Sequence, residues 1–288
     1  MRYAILADIH GNVTALRAVL QDMQQISSER DVRFDQVWCL GDVVGYGPEP
    51  GECVRLIRSR SDVCIPGNHD WAAVKKLDLA DFSAGAAASA EWTRDHLAPD
   101  ERKFLQSLPD RTRIGHFTLA HGSPSNPIWE YLINPASAAA NFAAFDSVFC
   151  VVGHTHVPTI FMQAAGAAPR IASPVQATPR HARESMELPG GPSWHMLEDA
   201  PQGGAGPRCE RMLPKQGLWV LPPGYRAIIN PGSVGQPRDG DPRAAYMIYD
   251  SDVGFEFRRV DYDIAATQRN IRAAGLSAKL ADRLARGV

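Results

Sequence analysis

The sequence predicts an α/β domain built in layers, and two observations carry that expectation. Short apolar runs alternate with segments whose apolar residues recur at helical spacing, from the N-terminus through residue 156. Carboxylates, an asparagine and histidines interrupt this pattern at one kind of place, just past the end of an apolar run.

Residues 3–7 form the first buried strand. After His10-Gly11-Asn12, apolar side chains recur at Val13, Leu16, Val19, Leu20, Met23 and Ile26, the spacing of one helix face. A second strand over residues 36–40 runs into Gly41-Asp42, a helix covers 48–60, and a third strand over 62–65 leads to Pro66-Gly67-Asn68-His69-Asp70. Helices are expected over 84–98 and 100–108, the second opened by Pro99 and stopped before Pro109. Strands are expected over 113–120, 147–152 and 157–162. Residues 164–216 lose all periodicity and are dominated by Gly, Pro, Ala and Arg, which reads as a surface insertion outside the core. Strands resume over 217–221 and 225–229, residues 244–250 and 254–260 read as a hairpin, and a helical segment interrupted at Gly275 occupies about 263–286. The expected organisation is a single domain over residues 1–288 carrying that insertion, with no internal repeat.

Bulk properties exclude several classes of function. With 30 Lys and Arg against 32 Asp and Glu, the net charge of −2 gives no electrostatic footprint for long nucleic acid. No apolar run approaches a membrane span, the apolar stretch at the N-terminus is too short for a signal peptide, and the five cysteines show no CxxC spacing. A cytoplasmic protein is expected.

The polar interruptions fall into five clusters: Asp8 with His10, Asp42, Asn68 with His69, His121, and His154 with His156. Strand ends along one edge of a sheet are where α/β folds gather ligand-binding groups. Imidazole and carboxylate together suit Mn, Fe, Co, Ni or Zn, whereas Ca and Mg prefer all-oxygen shells. The number of donors exceeds one tetrahedral site and fits two metals sharing a bridge. Two cations roughly 3.5–4 Å apart can hold a hydroxide nucleophile and clamp the oxygens of an in-line phosphoryl displacement. A carboxylate is the natural bridge, and Asp42 is the middle member of the order. His154 and His156 converge if the strand continues through them, or fan around a shared centre if the chain turns.

Asp8-x-His10, Gly41-Asp42, Gly67-Asn68-His69-Asp70, His121-Gly122 and Gly153-His154-Thr155-His156 together resemble the calcineurin-like metallophosphoesterase superfamily. The stretch Asn230-Pro231-Gly232-Ser233-Val234-Gly235-Gln236-Pro237-Arg238 further resembles its small prokaryotic phosphodiesterase or diadenosine-tetraphosphatase-like branch. The resemblance implies two central mixed β-sheets packed face to face and flanked by helices, a four-layer α-β-β-α sandwich. It implies one metal on Asp8, His10, Asp42 and His156 and another on Asp42, Asn68, His121 and His154, with manganese the expected ion and Fe, Zn, Ni or Co as alternatives. It makes His69 the general acid and places Asn12 near the phosphate or behind the metal ligands. The candidate substrate contacts are Asn12, Asn68, Asn230 and Ser233, although Pro231-Gly232 is equally well explained as a turn. The phosphoprotein phosphatases of this superfamily carry an Asp-Arg pair three and four residues after the bridging aspartate. Gly45-Tyr46 stand there instead.

The function implied is hydrolysis of a phosphodiester or nucleotide-type ester, its partner a small phosphorylated substrate. The alternatives are a phosphoprotein or phosphomonoester phosphatase and a non-catalytic scaffold with the same fold. His96 and His116 read as a solvated face and a structural residue. His181 and His195 lie in the insertion, which could fold over the metals as a lid with Arg170, Arg180 and Arg183 gripping a second phosphate.

Overall fold

The apolar runs become strands of two sheets, and the reason lies in how the central strands are buried on both faces. The protein is seen here in a computed structural model that describes residues 1–165, 194–196 and 208–288. The N-terminal half contains β1 (Arg2–Leu6), α1 (Val13–Glu29), β2 (Gln36–Cys39), α2 (Pro50–Arg60), β3 (Val63–Cys64), α3 (Asn68–Ala73), α4 (Ala84–His96) and α5 (Pro99–Ser107). There follow β4 (Arg111–Ile114), β5 (Phe117–Ala120), α6 (Pro135–Asn141), β6 (Phe149–Val151), β7 (Thr159–Ala164), β8 (Trp194–Met196) and β9 (Cys209–Met212). The chain ends in β10 (Gly217–Val220), β11 (Tyr225–Asn230), β12 (Ala244–Asp250), β13 (Gly254–Val260), α7 (Ile264–Ala273) and α8 (Ala278–Leu284).

One sheet is seven-stranded in the order β3-β2-β1-β12-β13-β10-β8, and the other six-stranded in the order β4-β5-β6-β11-β7-β9. Both are mixed: β1, β2 and β3 run parallel, as do β5, β6 and β11, with antiparallel partners beyond them. Alternate side chains serve different layers. Ala4, Leu6, Cys39, Tyr246 and Ile248 face α1 and α2, while Tyr3, Ile5, Trp38, Leu40 and Met247 meet Phe117, Leu119, Val151 and Ile229 between the sheets. On the outer face of the second sheet, Cys150, Val152, Phe161 and Ile228 pack under Ala138 and Phe142. These three apolar interfaces are those of the expected four-layer sandwich. Strands with two buried faces read as continuous apolar runs.

Local chemistry sets the helix starts. Asn12 caps α1 by accepting from the Ala15 amide at 3.0 Å, Asp263 caps α7 through the Ala266 amide at 2.8 Å, and proline occupies the first turn of α2 and α5. Among the described residues no helix is long and apolar enough to cross a membrane. Trp38 is fully buried in the inter-sheet core and donates its indole N–H to Gln36 at 2.8 Å. Trp38→Ala should therefore cost about 3–5 kcal/mol, measurable as a lower denaturation midpoint; an unchanged midpoint would show that this core tolerates the cavity.

Three expectations need correction. The strand expected over 113–120 is a hairpin, broken at Gly115, whose φ of 53° takes the chain out of the sheet. Helices α3 and α6 were not anticipated, because six and seven residues are too few to establish a period. The insertion does not reach residue 216: Cys209–Met212 is an edge strand antiparallel to β7, and Trp194–Met196 pairs with β10. A four-residue strand reading Cys-Glu-Arg-Met carries almost no apolar signal, yet Met212 packs on the inter-sheet core and the Arg211 guanidinium lies 5.9 Å from the Phe161 ring centre. His195 lies on β8, while His181, Arg170, Arg180 and Arg183, and with them the lid expectation, fall outside the described residues.

Candidate metal centre

The parallel strands of both sheets end at one edge, and their exits place the polar clusters together. Asp8 follows β1, Asp42 follows β2, Asn68 follows β3, His121 follows β5, and His154 follows β6. The chain turns at each exit rather than continuing: Asp8, His10, Asp42, His154 and His156 have φ between 50° and 67°. Non-glycine residues rarely hold this left-handed conformation, which costs on the order of 1–3 kcal/mol and concentrates at functional sites. His154 and His156 therefore fan around a centre instead of lying side by side on a strand. Backbone bonds lock the turns together, among them His10 N to the Asp42 carbonyl at 2.9 Å and Gly153 N to the His121 carbonyl at 2.8 Å. Gly67 is required by close approach, since a Cβ there would sit 2.0 Å from Asp42 Oδ1.

Carbonyl oxygens select the tautomer of each histidine. Nδ1 of His10, His121 and His156 meets the carbonyls of Val44, Leu40 and Gln236 at 3.2, 2.8 and 2.6 Å. Each ring then carries a proton on Nδ1 and directs Nε2 inward. His154 is reversed: its Nε2 meets the Trp129 carbonyl at 3.2 Å, leaving Nδ1 as the free donor atom. His154 N donates to both carboxylate oxygens of Asp8 at 3.1 Å, and His69 N to Asp42 Oδ1 at 2.9 Å.

Two groups of donor atoms result, each with all its atoms within 4.8 Å of one another: Asp8, His10, Asp42 and His156, and Asp42, His121 and His154. Asp42 belongs to both. Its Oδ2 lies 3.5 Å from His10 Nε2 and 3.4 Å from His121 Nε2. Every one of these side chains is buried. The arrangement fits metal ions on its own chemistry. His10 and His156 point Nε2 at Nε2 across 3.0 Å, two lone pairs that a cation between them would reconcile. Asn68 Oδ1 is buried without a hydrogen-bond partner, which is costly unless something fills the gap.

Charge tells the same story. Burial pushes Asp8 up to about 7, while His121 pulls it back. Burial also works against the charge of Asp42, yet His121, His69 and His10 hold it well below the usual carboxylate range. Burial drives His10, His156 and His154 down, the last to about 3. His121 moves the other way, to about 10, because Asp42 and Asp8 outweigh its burial. A proton held at Asp8 and another at His121 occupy positions that a cation would take, so binding would release protons.

His69 stands beside this centre, its ring 5.0 Å from His10 and 4.4 Å from Tyr46. Its Nδ1 is buried without a partner, and a Cβ on residue 45 would lie 2.7 Å from that atom, so Gly45 makes room for the ring. Asp70 ties the Gly67-Asn68-His69 turn down by accepting from Gly67 N at 2.9 Å and Val44 N at 3.1 Å.

Three candidate substrate contacts, Asn12, Asn230 and Ser233, make hydrogen bonds within the scaffold. Asn12 caps α1, donates to the Gly235 carbonyl at 2.9 Å and accepts from Thr267. Asn230 spans the Gly153 carbonyl and Gly232 N, and Ser233 bridges the Asp8 carbonyl and Gln236 N at 2.8 Å each. Their polar atoms are used inside the scaffold, where they fix the Asp8 and Gly153 loops. Asn68 alone of the four keeps a free donor oxygen in the site. His96 stacks on Trp92, and His116 sits exposed in the hairpin turn. Sequence reasoning missed the aromatic rim: Tyr131 lies 3.8 Å from the His154 ring, and Phe82 is 4.8 Å from Trp129 and 5.4 Å from His69.

This fold and donor set define a class of metal-dependent hydrolase, and comparison with known proteins agrees. The calcineurin-like phosphoesterase family matches residues 1–158. An uncharacterized protein of Methanocaldococcus jannaschii is 32% identical over 287 residues, 98% of this chain and 96% of its own length. A symmetrical bis(5'-nucleosyl)-tetraphosphatase of Thioalkalivibrio sulfidiphilus is 37% identical over 148 residues, so that the match spans 48% of this chain and 50% of that relative. The crystal structure of a metallophosphoesterase from Sphaerobacter thermophilus superposes with a TM-score of 0.74 at 40% identity, covering 100% of this chain and 99% of that one. A hypothetical protein from Pyrococcus horikoshii shares the fold, with a TM-score of 0.69 at 18% identity. The chain belongs to the calcineurin-like phosphoesterase family and is a metal-dependent phosphoester hydrolase.

Proposed function

We propose that the chain is a dinuclear phosphoesterase acting on a phosphodiester or nucleotide-type substrate. The observation that carries this reading is Asp42, the carboxylate common to both donor groups. One ion would be held by Asp8, His10, Asp42 and His156, the other by Asp42, Asn68, His121 and His154. When bound, such ions supply a water activated at neutral pH and positive charge for the phosphoryl oxygens. Manganese is our reading of the metal, and Fe, Zn, Ni and Co suit the same nitrogen and oxygen donors.

The chain's own groups do the rest. The carbonyls of Val44, Leu40, Gln236 and Trp129 hold the four imidazoles in orientation, so no reorganisation is needed when substrate enters. His69 protonates the leaving oxygen, which an alkoxide or ribose oxygen needs near neutral pH. The nucleotide reading is supported by the flat faces of Tyr131, Trp129 and Phe82 beside the donors, which suit a stacked base. Partial similarity to relatives named bis(5'-nucleosyl)-tetraphosphatases points the same way. We place the protein in the cytoplasm, where its five unpaired thiols would stay reduced.

Elemental analysis of reconstituted protein should find two transition-metal equivalents, with activity lost on chelation and restored by metal. One equivalent or none at full activity would remove the dinuclear reading. A screen of the reconstituted enzyme against phosphodiesters, phosphomonoesters, dinucleoside polyphosphates and phosphopeptides tests the substrate class; preference for phosphopeptides would overturn it.

A further inference from the structure

We propose that Arg238, on the loop from β11 to β12, grips the substrate phosphate beside the metal centre. This rests on the reading that a phosphoester binds at that centre. The loop is anchored to the site, since the Arg238 amide reaches the His156 carbonyl at 3.4 Å. Its guanidinium donates through Nη2 to Gln236 Oε1 at 2.8 Å, and Gln236 is the residue whose carbonyl orients His156. The guanidinium carbon lies 5.9 Å from the centre of the Tyr46 ring, which itself packs 4.8 Å from His10 and 4.4 Å from His69.

Two features of Arg238 suit it to an anion. Arg258 and Arg259, on the neighbouring strand, each pair with carboxylates. Among the described residues no carboxylate lies within ion-pairing distance of Arg238. Its Nε is also buried and has no hydrogen-bond partner, although a stacked surface arginine would leave that atom to water. A guanidinium carries five N–H donors in a planar fork that matches two oxygens of a phosphate. A half-buried guanidinium with an unfilled Nε, held by Gln236 and Tyr46, is prepared for such an anion.

The test uses metal-reconstituted wild type, Arg238→Ala and Arg238→Lys, with metal content, inorganic phosphate binding by calorimetry, and turnover of a nitrophenyl phosphodiester measured on each. Metal content should be unchanged. Phosphate affinity should fall about 10–100-fold in Arg238→Ala, as expected for loss of a charge-assisted hydrogen bond, and less in Arg238→Lys, which keeps the charge without the fork. Added guanidinium ion, at concentrations that leave the fold intact, should restore part of the turnover of Arg238→Ala; a scaffold role would not respond. Phosphate affinity and turnover within about twofold of wild type in both variants, or loss of metal in both, would overturn the proposal. Wild type that binds phosphate through Arg238 without hydrolysing any ester would instead sink the hydrolase reading and leave this one standing.

Discussion

Asp42→Asn is expected to lower kcat/KM on the order of 10³-fold, at the upper end of what removing one preorganised electrostatic group costs. It should do more harm than His10→Ala, His121→Ala, His154→Ala or His156→Ala taken singly. Each histidine belongs to one donor group, whereas Asp42 belongs to both. The substitution is nearly isosteric, and the asparagine oxygen can keep the bond from His69 N that Oδ1 now accepts. The turn at Gly67 is therefore retained, and the loss falls on the other oxygen, which faces His10 and His121. On the proposed dinuclear reading, removing the negative charge would leave two cations to repel each other with less between them. Metal content should drop below two equivalents while the denaturation midpoint of the metal-free protein stays close to wild type. Full occupancy with near-normal turnover in Asp42→Asn would show that the bridge is elsewhere.

The fold was largely legible because its physics writes itself into short windows. A strand buried on both faces, such as residues 3–7, must be apolar at every position, and any polar residue at its end is conspicuous. Asp8, Asp42 and His121 stand out for that reason. What could not be read is what depends on contacts across long separations or on backbone atoms. The carbonyl that selects the His154 tautomer belongs to Trp129, 25 residues away, and a carbonyl leaves no mark on residue identity. Asn12, Asn230 and Ser233 carry the polar groups a phosphate site would want, and the sequence cannot show that those groups are already satisfied by Gly235, Gly153 and Asp8. The same holds for β9, where four residues of mixed polarity become a strand only because the edge of β7 is there to pair with.

His69→Ala is expected to separate substrates by leaving group. Burial pushes the His69 imidazole down to about 4, with Asp42 opposing, so the ring is neutral before substrate arrives. An anionic phosphate placed beside it favours the charged form and offsets that burial. No carboxylate orients the ring: Nδ1 has no partner, and the ring itself fills the room beside Gly45, where a Cβ would lie 2.7 Å from Nδ1. Its position is set by packing against Tyr46, Phe82 and His10. Truncation would remove the proposed proton donor without touching the side chain of Asn68, so metal content should hold. Esters with alkyl or ribose leaving oxygens should then slow about 10²–10⁴-fold, the usual contribution of general acid catalysis. Nitrophenyl esters should slow far less, because nitrophenolate leaves without a proton. A uniform loss across both classes, with metal intact, would mean that His69 positions the substrate and that the leaving oxygen takes its proton from another donor.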